Sequence, residues 1–109
     1  MTRVLMAFLV AVGLSGGAWA ETCTFTTECY EAEGCEETNF TMEVQRDKLI
    51  TDAETIPVGT GGSDTVNVFV GYTASAFHVL TREVDGQARY VTHLFDGPVM
   101  VSYLGACQS

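Results

Sequence analysis

The second half of the chain alternates apolar and polar residues with the period of two that is typical of β-strands. Two hairpin signals, Asp85-Gly86 and Asp96-Gly97, divide this region, and a short turn over residues 73–76 precedes them. No segment has the sustained period of an amphipathic helix. The set predicted to share one inward face comprises Val66, Val68, Val70, Tyr72, Phe77, Val79, Thr81, Ala88, Tyr90, Thr92, Leu94, Val99, Val101 and Tyr103.

Two-residue turns at both Asp-Gly pairs fix strand registers that are mutually consistent. All three predicted registers place the same apolar set on one face, and a slip of one residue moves that set to the other face. The predicted registers pair Val70 with Val79, Phe77 with Leu94, and Tyr90 with Tyr103.

The first half of the chain is less regular. We expect strands over residues 22–26, 40–44, 48–51 and 55–58, an acidic cysteine loop over residues 28–37, and a flexible glycine-rich loop over residues 59–63. The chain therefore predicts an all-β fold, a small antiparallel up-and-down meander. We expect it to form a 7–8 stranded barrel or a strongly curved sheet, crosslinked by disulfides.

The first twenty residues have the order of a secretory signal: one basic residue, an apolar run and a small-residue end. Arg3 is the basic residue, Val4–Leu14 is the apolar run, and Ala18-Trp19-Ala20 is the expected cleavage motif. The run is too short for the roughly 20 residues that span a bilayer. We predict a cleavable signal peptide over residues 1–20, cleavage between Ala20 and Glu21, and a single domain over residues 21–109 in the periplasm or outside the cell.

Charge excludes several classes of function for this domain. All fourteen acidic residues but only four of the five basic ones follow Ala20, which gives residues 21–109 a net charge of −10. Nucleic-acid binding needs a basic footprint, and an anionic membrane surface repels such a chain. We therefore expect no nucleic-acid partner and no membrane anchor in the mature form. A cationic protein partner is attracted instead.

Four cysteines in a short exported chain indicate disulfides rather than a zinc site, because the close spacings are Cys-x₅-Cys. Three pairings are possible from the sequence. We favour Cys29–Cys35 as a local crosslink and Cys23–Cys107 as a crosslink between the chain ends.

Two clusters are candidates for chemistry. The predicted register places His78 directly opposite His93, close enough for the two imidazoles to share a metal ion, with Arg82 opposite Arg89 on the same face. Around the paired cysteines lie five carboxylates that we predict as partner-binding residues. These are Glu28, Glu31, Glu33, Glu36 and Glu37.

Catalysis is not expected, since the cysteines are oxidised and no serine lies in a G-x-S-x-G context. No cofactor is predicted. In outline the chain is similar to the small exported β-barrel inhibitors of c-type lysozymes. Their Ser-Gly motif has a counterpart only in Ser15-Gly16 of the signal segment, so no site residue is carried over. We predict a binding or inhibitor-like module for a protein partner. The alternatives are a small-ligand or metal carrier using the His78/His93 face, and a structural or stress protein of the cell envelope.

Overall fold

The computed structural model describes residues 20–97 and 99–109, and the predicted signal segment, residues 1–19, lies outside this range. The described residues form nine β-strands. They are β1 (Ala20–Tyr30), β2 (Gly34–Gln45), β3 (Lys48–Ile50), β4 (Thr55–Pro57), β5 (Gly59–Gly62), β6 (Val66–Tyr72), β7 (Ala76–Glu83), β8 (Gln87–Leu94) and β9 (Val99–Gln108).

All nine strands belong to one antiparallel sheet with the order β4-β3-β2-β1-β9-β8-β7-β6-β5. Consecutive strands are neighbours except for β4 and β5, and β1 also pairs with β9, so the first and last strands lie side by side in the middle of the sheet. The two edge strands, β4 and β5, follow one another in the chain. Here the backbone of Pro57 crosses over β6 at Gly71, where a Cβ atom would lie 2.1 Å from the Pro57 carbonyl oxygen. The sheet is therefore a nearly closed barrel.

The prediction of an all-β antiparallel meander is confirmed, with nine strands rather than seven or eight. Both favoured disulfides are present, Cys23–Cys107 and Cys29–Cys35. Disulfides persist in oxidising compartments, so they indicate an extracytoplasmic environment. Within the described residues there is no helix that is long and apolar enough to cross a membrane.

Two of the three predicted registers are confirmed, and the third is wrong by one residue. Val70 pairs with Val79, and Tyr90 pairs with Tyr103. Between β7 and β8, however, the loop has three residues, 84–86, with a positive φ of 103° at Gly86. An Asp-Gly pair suits both the two-residue turn and the three-residue loop that ends in a left-handed glycine. The longer loop shifts every β7–β8 pair by one position.

This shift reverses the predicted faces of β6 and β7. On β8 and β9 the predicted set is inward, and Tyr90 and Val101 are buried. On β7 the buried positions are instead the even-numbered ones, and on β6 Phe69 is buried while Tyr72 is exposed. The hydrophobic core consists of Cys23, Phe25, Met42, Val44, Leu49, Ile56, Phe69, Leu80, Ala88, Tyr90 and Cys107.

Two segments predicted as loops are strands. The acidic cysteine segment, residues 28–37, forms the distal part of the β1–β2 hairpin, and only residues 31–33 are a turn. A bulge between Phe25 and Thr27 lets β1 continue its pairing with both β2 and β9. The glycine-rich segment forms the edge strand β5, in which all four residues are exposed.

Candidate interaction surface

The predicted histidine pair is not formed. His78 pairs with Thr92, and His93 pairs with Phe77, so the two imidazoles lie on opposite faces of the sheet. His78 is buried at 2% exposure, whereas His93 is exposed. The predicted juxtaposition of Arg82 and Arg89 is wrong for the same reason, because Arg82 pairs with Ala88. The structure therefore removes the geometry on which the metal hypothesis depended.

His78 belongs to a buried polar network. Its Nδ1 atom lies 2.6 Å from the Tyr90 hydroxyl, and its Nε2 atom lies 3.2 Å from the Thr73 hydroxyl. A neutral imidazole has one donor and one acceptor, and each hydroxyl can take the complementary role. Burial lowers the pKa of His78, and the negative charge of Glu54 opposes that shift without cancelling it. The network satisfies polar groups inside the barrel.

We expect this network to make stability depend on pH in a defined window. His78 titrates near pH 6.5 in the unfolded chain and at lower pH in the folded protein, so the unfolded state binds more protons between these two values. Its contribution is fully present above about pH 6.5 and is lost as the pH falls through the folded pKa. Urea unfolding at several pH values measures how the free energy of unfolding changes with pH.

We expect His78→Gln to remove the loss of stability at low pH, and the matched variant His93→Gln to keep it. The reverse result would contradict the assignment of this pH dependence to His78.

An aromatic cluster fills the barrel beside His78. The rings of Phe40 and Tyr103 are 4.9 Å apart, and Tyr90 lies 5.5 Å from Tyr103 and 6.1 Å from Phe25. Burial raises the pKa of Tyr90 to about 12, and the charge of Glu54 adds to the increase. Burial, followed by a hydrogen bond to Glu28, raises the pKa of Tyr103 as well. Both phenols therefore stay neutral at physiological pH.

The outer surface of strands β6 to β9 carries a largely apolar row that includes Tyr72 and Phe77, two residues predicted to face inward. Tyr72 pairs with Phe77, Phe77 with His93, and His93 with Met100, so these four side chains are lateral neighbours. Tyr72 is 71% exposed, Phe77 40% and Met100 42%. In the adjacent row, Val70 pairs with Val79 and is itself exposed.

We call this surface the outer apolar face, and define it as Val70, Tyr72, Phe77, Val79 and Met100. At its β6 end it includes a groove of about 420 Å³. The groove is lined by Pro57, Val58, Val70, Gly71, Tyr72 and Phe77. Large exposed side chains that are contiguous, rather than scattered, mark interaction sites on soluble domains. The sequence signal for this face was present, because β6 and β7 are apolar at both odd and even positions.

The five predicted partner-binding carboxylates lie on the distal β1–β2 hairpin, which we call the acidic hairpin (residues 28–37). Cys29 and Cys35 are directly opposite each other, so their disulfide joins the two strands. Glu28 is opposite Glu36 and is half-buried, and the other four carboxylates are exposed. No ion pair involves these carboxylates within residues 20–97 and 99–109. The structure thus places the five predicted carboxylates on one disulfide-crosslinked hairpin.

The outer apolar face and the acidic hairpin are continuous. The backbone amide of Met100 donates a hydrogen bond of 2.7 Å to Oε1 of Glu31, and the amide of Glu31 donates to the carbonyl of Met100 at 3.2 Å. The lateral row that begins at Tyr72 therefore ends at the hairpin turn. One surface presents apolar side chains and, at one margin, a group of carboxylates.

One further group of potential metal ligands is accounted for by other bonds. In the described part of the chain, Glu21, Cys23 and Cys107 place ligand atoms within 4.8 Å of one another. The two cysteines form a disulfide, and the Glu21 carboxylate is paired with Arg82. These groups hold the fold together and offer no free ligand set.

Comparison with known proteins found no match to a protein-family model, to a curated protein or to a solved structure.

Proposed function

We propose that the protein is a binding module for a protein partner outside the cytoplasm, and that the partner docks on the outer apolar face with basic residues against the acidic hairpin. The observation that supports this most directly is the continuous row from Tyr72 to Met100, which ends at Glu31. Interfaces combine apolar anchors at the centre with charged groups at the rim. In this protein the anchors include the aromatic side chains of Tyr72 and Phe77, and the margin carries the carboxylates of the acidic hairpin.

The location is part of the same proposal. We propose that residues 1–20 direct export and are removed between Ala20 and Glu21, which releases the domain into the periplasm or the medium. The apolar run, the small residues before Glu21 and the two disulfides support this. A cationic partner is then attracted to the released domain, residues 21–109, whose net charge is −10, and salt weakens that attraction.

The test compares retention of basic extracytoplasmic proteins by immobilised wild-type protein and by variants. Tyr72→Ser/Phe77→Ser removes the two most exposed aromatic anchors of the row, and Val84→Ser is the matched control because Val84 is 60% exposed in the β7–β8 loop. We expect the double variant to bind its partner at least tenfold more weakly. Loss of anchoring side chains should cost at least about 1.4 kcal/mol of binding free energy, which corresponds to a tenfold higher Kd. The first purified protein to test is a c-type lysozyme, because the chain is similar in outline to the small exported β-barrel inhibitors of these enzymes.

Charge is tested separately. Glu31→Gln/Glu33→Gln removes two exposed carboxylates of the acidic hairpin. The control, Glu43→Gln, removes an exposed carboxylate on β2 that lies outside this hairpin. We expect the hairpin variant to slow association and to reduce its salt dependence, with little change in Glu43→Gln. Equal retention by wild type and by Tyr72→Ser/Phe77→Ser would rule out the proposed surface.

A further inference from the structure

The groove at the β6 end of the outer apolar face is bordered by three ring side chains. Tyr72 and Phe77 are direct partners on β6 and β7, and the exposed Pro57 ends β4 beside them. Opposed residues on one face have Cβ atoms about 4.5–5.5 Å apart, so the two aromatic side chains are neighbours. A Cβ atom at Gly71 would lie 2.1 Å from the Pro57 carbonyl oxygen, so this glycine allows the end of β4 to lie against β6. The groove therefore offers flat ring surfaces to a ligand.

The strands beneath the row of exposed side chains have their backbones paired. Strands β7 and β8, which the row crosses, are each paired on both sides. A ligand that lies across these strands therefore contacts side chains rather than main-chain donors and acceptors, and an added β-strand finds no partner there. Polyproline II has no internal hydrogen bonds and keeps its backbone solvated, and proline-rich segments bind in aromatic-lined grooves. This conformation suits the groove and the row that leads from it.

The length of the row sets the spacing of the groups that a ligand needs. From Tyr72 to Met100 the row crosses three strand intervals of about 4.8 Å, which gives roughly 14 Å. Polyproline II advances about 3.1 Å per residue, so this distance corresponds to roughly four or five residues. Oε1 of Glu31 accepts the 2.7 Å hydrogen bond from the Met100 amide, and Glu33 lies in the same hairpin turn. A basic residue about five positions from a proline in the groove therefore reaches these carboxylates.

Charge favours such a ligand over a second copy of this chain. Residues 21–109 carry a net charge of −10, so two copies joined through this face would repel each other. A basic side chain is attracted instead to the acidic hairpin, in which four of the five predicted carboxylates are exposed. The surface is thus complementary to a segment with apolar rings at one end and a cation at the other.

Building on the function proposed above, we propose that the partner's contact segment is a proline-rich stretch in the polyproline II conformation. An arginine or lysine follows or precedes, by about five residues, the proline that occupies the groove. The proline rings pack on Tyr72 and Phe77, and the hydroxyl of Tyr72, a side chain that is 71% exposed, donates a hydrogen bond to a carbonyl of the segment. The cation pairs with Glu31 or Glu33.

The experiment titrates ¹⁵N-labelled protein with synthetic peptides of nine residues. The first has seven prolines followed by two arginines, and the second has the reverse order to test the opposite chain direction. In the controls, alternating glycine and serine replace the prolines, or glutamines replace the arginines. We expect one of the proline–arginine peptides to shift the amide signals of Gly71, Tyr72, Phe77, Glu31 and Glu33. It should bind at least tenfold more tightly than the glycine–serine control and at least threefold more tightly than the glutamine control.

Two variants with matched controls assign the two ends of the segment. Tyr72→Ser should weaken binding of the proline–arginine peptide at least tenfold, and Val84→Ser should leave it unchanged, because Val84 is 60% exposed in the β7–β8 loop. Glu31→Gln/Glu33→Gln should abolish the preference for arginine over glutamine in the peptide. Glu43→Gln, on β2 outside the acidic hairpin, should preserve that preference.

The outcomes distinguish this proposal from the function proposed above. Equal binding of the proline and glycine–serine peptides would overturn the proline-rich segment, because charge alone would then account for binding. Retention of a basic protein by the wild type but not by Tyr72→Ser/Phe77→Ser, with no peptide bound, would overturn the segment and leave the proposed function in place.

Other occupants of the face have their own signatures. A leucine-rich helical peptide with two arginines that binds more tightly at the same residues would assign the groove to a helix and overturn the polyproline II conformation. A dimer in sedimentation velocity that Tyr72→Ser dissociates would assign the face to a second copy of the chain and overturn both proposals.

Discussion

Replacing Cys23 and Cys107 together by alanine is expected to lower the free energy of unfolding by about 4–5 kcal/mol. The two cysteines are 84 residues apart in sequence and are direct partners on β1 and β9. A crosslink that closes such a long loop removes a large amount of conformational entropy from the unfolded chain. Domains of this size have a total stability of roughly 5–15 kcal/mol, so the loss is a large share of it.

The second disulfide is the matched control for this prediction. Cys29 and Cys35 are only 6 residues apart, and the same entropy argument gives their removal a cost of roughly 2 kcal/mol. Urea unfolding of the two double-alanine variants and the wild type measures the difference. An equal loss in both variants would contradict the argument from loop length and would point to a packing role for the sulfur atoms instead.

The fold class and the cysteine pairing could be predicted from the sequence. The fold class follows from the alternation of apolar and polar residues, and the pairing from the number and spacing of the four cysteines. Alternation of apolar residues defined strands β6 to β9, and correct loop lengths gave two of their registers. The predicted length of the β7–β8 loop was wrong because Asp85-Gly86 suits loops of two and of three residues equally well. Since β6 and β7 carry apolar residues on both faces, the pattern of apolar positions did not reveal the resulting one-residue shift in register.

The candidate sites were less predictable, and the reasons differ from one to another. The acidic hairpin was predicted as a cluster but not as strands, because glutamate is disfavoured in strands and the pairing comes from β9 and the Cys29–Cys35 crosslink. The outer apolar face became visible only once the register placed Tyr72 and Phe77 outside.

Replacing Arg82 by methionine is expected to cost about 3–5 kcal/mol of stability. Nε of Arg82 donates a hydrogen bond of 2.7 Å to Oε1 of Glu21, and its Nη2 donates to Oε2 of the same carboxylate. The Glu21 side chain is only 3% exposed and that of Arg82 15%, so the pair is largely removed from water. Losing one partner leaves a buried charge without compensation, which is the costly case for a buried ion pair.

Two controls distinguish the loss of this pair from the loss of a charge or of packing. In Glu21→Met/Arg82→Met both charges are replaced by apolar groups, so we expect most of the stability to return. Arg89→Met changes an exposed cation on β8 and should shift stability by less than about 0.5 kcal/mol. If the double variant were as unstable as Arg82→Met, the cost would lie in packing and the ion-pair argument would fail. Glu21 is also the first residue after the proposed cleavage point, so in the chain that such cleavage would release, this pair would tie the first residue to β7.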